Sequence, residues 1–142
     1  AILSTLDKIY RDNIFGHMIF AIFIAIFGAI YEKFSHEVYS YYMIYAFMIP
    51  LCLGSFAYLL ASKRAKKEPR NITVSAWNAV VVTLTIGSIF QGILEIYGTT
   101  NRLVWFYPVA AILFLLIAIG SKFLNNRKMV EEMKSIQKIQ KA

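Results

Sequence analysis

The chain is poor in cysteine, proline and charge: 142 residues contain one Cys, three Pro and eight Asp plus Glu, and only 16% are charged. A single cysteine, Cys52, excludes an internal disulfide and any cysteine-rich metal site. Scarcity of charge argues against a soluble domain, which is about 25% charged and about 45–50% apolar. Here 58% of residues are hydrophobic and 15% aromatic, and the mean hydropathy is +0.57. Strict apolar/polar alternation is missing too, which excludes a membrane β-barrel. There is also no Ser–His–Asp arrangement, no glycine-rich phosphate loop and no spaced acidic pair within the apolar stretches. The sequence therefore leans away from an enzyme.

What is present is a set of apolar runs. Four stretches lack Asp, Glu, Lys and Arg: 14–31, 38–62, 71–94 and 103–121. They are about 18, 25, 24 and 19 residues long, where roughly 20 helical residues cross a hydrocarbon core. Hydrocarbon offers exposed backbone groups no partner, so each run is expected to be helical. The connections are short, about 6, 8 and 8 residues, so neighbouring helices are expected to be antiparallel. The expected fold is all-α: a polytopic membrane protein built as a four-transmembrane-helix antiparallel bundle. A cleaved signal peptide is the competing reading of the first run. That run is too long for a signal core and follows Asp7 and Asp12, so an uncleaved helix is expected.

Net charge is +7. In a polar chain such a balance suggests nucleic acid, but here the cations flank apolar runs, which points to anionic lipid. The first and third connections hold only Lys33 and Arg102; the other thirteen of the fifteen Lys and Arg fall on one side. The positive-inside rule then puts both termini and the middle connection in the cytoplasm of a multi-pass plasma-membrane protein. Lys63, Arg64, Lys66, Lys67 and Arg70 form the candidate lipid-binding run. Pro69 and Asn71 mark the start of the third helix.

Segments 1–13 and 122–142 are expected to be short amphipathic helices flanking the 14–121 transmembrane domain. The first sets Ile2, Leu6, Ile9 and Tyr10 against Asp7, Lys8, Arg11 and Asp12, with Ser4 and Asp7 as a capping signal. The second sets Met129, Met133 and Ile136 against Lys134, Lys138 and Lys141; it is expected to lie on the membrane, pair with another subunit, fray, or simply extend the fourth run as a solvated helix.

Small residues mark the faces that meet. The second run has Ala46, Pro50, Gly54, Ala57 and Ala61 on one face, the first has Ala21, Ala25 and Ala29 beside Gly28, and the third has Ser88 and Gly92. Pro50 is expected to kink its helix. The fourth run is bulky and is expected to meet more lipid.

The third run is the polar one. With Asn78 at zero, Thr85, Gly92, Ser88, Glu95 and Gln91 fall at roughly −20°, −40°, −80°, −100° and −140° around a helix. Polar groups at membrane depth must face protein or water. Asn78, Thr85, Ser88, Gln91 and Glu95 are a path for a small cation or polar solute, interhelical glue, or a face for self-association. At the other end of the runs, Glu32, His36, Glu37 and Arg102 form a candidate outer-mouth site. Glu32, His36 and Glu95 are weak candidate ligands for zinc or manganese, since no HxxxH, HExxH or CxxC spacing supports them; otherwise Glu95 pairs with Arg102. No cofactor can be named. His17 has no second histidine at matching depth and reads as a packing residue rather than a haem ligand.

Two functions are expected. One is an oligomeric transporter-like or channel-like unit. The other is a non-catalytic accessory or scaffold subunit, binding a membrane partner or the anionic inner leaflet. So small a bundle is expected to form a homo-oligomer or to join a larger membrane complex.

Overall fold

The computed structural model describes residues 2–64 and 69–142, with side chains from residue 8 onward; Lys66 and Lys67 of the basic run lie outside the described residues. Helix α1 spans Ile2–Phe34, α2 Tyr41–Ile44, a π-helix Pro50–Phe56, α3 Ala57–Arg64, α4 Asn71–Ile96 and α5 Phe106–Lys141, with a 3-10 turn at Arg102–Trp105 ahead of α5. No strand occurs among the described residues. Three helical stretches, Lys8–Phe34, Asn71–Ile96 and Arg102–Lys141, are long and apolar enough to cross a membrane. Their surfaces agree with their composition. Ile19, Phe23, Leu113 and Leu116 are 58–68% exposed, as side chains are when hydrocarbon rather than water surrounds the bundle.

The second apolar run departs from a regular helix. Turns at 45–47 separate α2 from the π-helix, and Met48 and Ile49 bond three residues back, to the carbonyls of Tyr45 and Ala46. Pro50 then supplies no N–H and opens the π-helix. Past it, the Ala57 N–H reaches the carbonyls of Cys52 and Gly54. The Leu53 carbonyl between them, which an α-helix would have paired with Ala57, is freed.

Both terminal segments are continuous with the long helices beside them. No Pro or Gly interrupts residues 2–14, and α1 runs unbroken from Ile2. Tyr10 turns inward, 8% exposed, against Tyr58. The tail continues α5 without a break, and Met133, Ile136 and Ile139 on it are exposed.

Two hairpins make the bundle. In one, α1 packs on the π-helix and α3; in the other, α4 packs along α5. They join where α2 and the π-helix meet α4. Small residues make this approach possible: Ala21, Ala46, Ala76, Ala111 and Ala118 are all buried.

Candidate functional site

The polar side chains collect at two levels. At the basic end of the bundle, Asn78 is the centre. Its Oδ1 accepts from the Tyr58 hydroxyl at 2.7 Å and pairs with His17 Nε2 at 2.9 Å, which makes Nε2 the protonated nitrogen. Its Nδ2 donates to Asn13 Oδ1 at 3.0 Å, and Asn13 Nδ2 donates to the Ile9 carbonyl at 2.9 Å. The amide therefore receives two protons and passes one on, and every assignment is consistent. The His17 ring stacks on Tyr58, with centroids 5.6 Å apart and 20° between planes.

Backbone geometry sets this network up. His17 sits over Gly54, where a Cβ would come within 2.6 Å of the imidazole; only glycine admits the ring. Trp77 Nε1 donates to the freed Leu53 carbonyl at 2.8 Å. Ser55 Oγ donates to the Ile14 carbonyl at 2.9 Å. The π-helix is thus fastened to α1 on one side and to α4 on the other.

At the opposite end, α2 takes the central position. Met43 is 1% exposed and lies between two glycines: a Cβ on Gly28 would be 3.1 Å from its carbonyl oxygen, and one on Gly92 would be 3.0 Å from its Cβ. Buried Ser40 donates to Glu95 Oε2 at 2.6 Å, and Ser88 Oγ donates to the Tyr42 carbonyl at 2.7 Å. Thr85, fully buried, bonds the carbonyl of Val81 in its own helix at 2.7 Å. Gln91 is half-buried. Of the five arc residues, Asn78, Ser88 and Glu95 thus bond other segments and Thr85 bonds its own.

The outer-mouth residues are not gathered in the same way. His36 and Glu37 are exposed in a left-handed turn, with φ of 55° and 68°, and Arg102 is exposed at the start of its 3-10 turn. Glu32 is half-buried, and its Oε1 is buried without a hydrogen-bond partner. Among the described residues no three His, Cys, Asp or Glu side chains are placed to share a metal ion, so Glu32, His36 and Glu95 do not form the metal set that the sequence suggested.

Asn13, Tyr58 and Trp77 are the members that sequence reasoning missed. The available signal was spacing: Ile9, Asn13 and His17 recur every four residues, putting two polar groups on the face of α1 that bears Tyr10.

A cavity of about 700 Å³ opens at the basic end, between α3, α4 and α5. Arg64, Arg70 and Lys122 stand among its lining residues. No family model matches the chain, and no curated protein or solved structure matches it either. What the fold and the site define is a class: a small helical protein with membrane-length apolar helices, knit together by internal hydrogen bonds.

Proposed function

We propose that this protein is a non-catalytic accessory or scaffold subunit of the cell membrane. In this reading 38–62 completes a fourth crossing, both termini and the 63–70 connection lie in the cytoplasm, and the basic end faces the anionic leaflet. The observation that carries it is the pairing of the α4 polar arc. Asn78 is bonded to His17, Tyr58 and Asn13, Ser88 to Tyr42, and Glu95 to Ser40. Those groups are engaged in holding the bundle rigid, which suits a protein that presents surfaces. The surfaces available are the exposed apolar flank of α5 and its tail, where Leu113, Leu116, Met133 and Ile136 are uncovered.

The test is native mass spectrometry of the particle purified in nanodiscs, together with flux assays in proteoliposomes. Recovery with a second copy or a second protein, and no flux of monovalent or divalent cations, is the expected result. Cation flux by the chain alone that disappears in Asn78→Leu or Glu95→Gln, with the fold intact, overturns it.

One observation favours a second reading, transport of a small cation. Glu32 Oε1 is a buried carboxylate oxygen with no partner, and such a group is costly unless a proton or cation visits it. Flux lost in Glu32→Gln would carry this reading.

A further inference from the structure

The cavity between α3, α4 and α5 combines two different surfaces. Its mouth is cationic: Arg64 closes α3, Arg70 precedes α4 and Lys122 follows the apolar part of α5, with Asn125 and Asn126 beside it. None of its described lining residues is acidic. The first turn of α4 adds to this field: it contains no acidic residue and, among the described residues, no side-chain cap, so the positive end of its dipole adds to the cations at the mouth.

The depth of the cavity is the opposite. Leu60, Ala61, Val74, Leu115 and Ile119 line it, together with the rings of Tyr58 and Trp77. Both rings bear polar atoms, and both are already committed. The Tyr58 hydroxyl goes to Asn78 and the Trp77 N–H to Leu53, so neither donor is left over for a ligand. Thr73 is likewise engaged with Ser121 at 2.7 Å. Tyr10 lines the depth as well, so a polar solute would find little more than one hydroxyl beyond the mouth, whereas an acyl chain would need none.

We propose that this cavity holds one anionic phospholipid, its phosphate at Arg64, Arg70 and Lys122 and its acyl chain along Leu60, Leu115 and Ile119. The volume lies within the range of about 300–1,000 Å³ typical of ligand sites. Leu60 and Ile119 are 41% and 57% exposed, which leaves the chain a lateral way out to the bilayer. The inference rests on the membrane-spanning reading with the basic end at the inner leaflet, not on whether the protein scaffolds or transports. It would make the lipid a filling between α3 and the α4–α5 hairpin, beside the hydrogen-bonded network that joins the two hairpins.

The test uses the full chain in nanodiscs of phosphatidylglycerol mixed with phosphatidylcholine. The particle is transferred to detergent, and retained lipid is counted by native mass spectrometry. Wild type is expected to keep one phosphatidylglycerol. Arg70→Gln combined with Lys122→Gln should weaken its retention about thirtyfold, since each basic residue near a lipid surface is worth about fivefold. Ala61→Phe, which fills the apolar part and leaves the cations alone, should also lose it. Lys128→Gln with Lys134→Gln, on the exposed tail, should retain it. Equal retention of phosphatidylcholine, or retention of phosphatidylglycerol by the cavity variants, overturns the proposal. Glycerol 3-phosphate or inorganic phosphate that stabilises delipidated protein as well as the lipid does would also overturn it, by showing that a soluble phosphate suffices. These outcomes are read from bound lipid, so they stand apart from any flux or partner result.

Discussion

The basic end and the carboxylate end of this bundle use the same device for opposite purposes. Each brings helices together over glycine. At the basic end, Gly54 makes room for an imidazole and with it a hydrogen-bonded chain from Ile9 through Asn13 and Asn78 to His17 and Tyr58. At the other end, Gly28 and Gly92 make room for Met43, an apolar wedge, and the polar bonds around it are separate pairs. In hydrocarbon an interhelical hydrogen bond is worth only about 0.6 kcal/mol on average. A shared centre therefore concentrates what isolated pairs spread out.

The comparison breaks most sharply at Gly54. Replacing glycine by alanine in an exposed helix is worth up to about 1 kcal/mol of added stability, and Gly120, with open space around its missing Cβ, is expected to behave that way. At Gly54 the new methyl would displace His17 and the bonds that depend on it. Gly54→Ala should destabilise the bundle by about 3 kcal/mol, the scale of overpacking a tight contact. Thermal unfolding of both variants in the same nanodisc measures the difference; equal melting temperatures would refute the close approach of α1 and the π-helix.

The second contrast sets the polar centre against a polar pair. Asn78→Leu removes three interhelical bonds and leaves His17, Tyr58 and Asn13 without that partner, a loss of about 2 kcal/mol. Ser40→Ala removes one bond to a carboxylate that is itself exposed, and should cost about 0.6 kcal/mol. Similar losses in denaturant unfolding would mean that the two ends are held alike.

This asymmetry was only half legible in the sequence. Apolar runs free of charge gave the long helices, and the small-residue stripe of the second run correctly marks a buried face: Ala46 is 0% exposed and Gly54 is buried. The fourth run's bulk correctly marked it as the outward one, with Leu113 and Leu116 exposed. Periodicity could not show the π-helix, because it assumes 3.6 residues per turn throughout, and Pro50 announces a break but not the geometry beyond it. Nor could it pair Asn13 with Asn78: sixty-five residues separate them, and only the packing of two hairpins brings them together. The five arc positions on α4 were readable as one face, but whether that face meets protein or water is decided by its neighbours.

Thr85 sharpens the point with the smallest expected effect. It lies at the middle of that face and is fully buried, yet its hydroxyl bonds only the Val81 carbonyl of its own helix. That carbonyl already belongs to the backbone ladder, so removing the hydroxyl orphans nothing. Valine keeps the shape. Thr85→Val should change stability by less than about 0.5 kcal/mol and leave oligomeric state and retained lipid as in wild type. A polar path along α4 predicts otherwise, because a methyl at its narrowest level would interrupt it whatever the stability. The variant thus separates the two readings where stability measurements on Asn78 cannot: unchanged unfolding with altered cation flux would mean that the buried hydroxyl serves something that passes, and unchanged behaviour in both assays would mean that the middle of α4 is packing, with the protein's business conducted at its two ends.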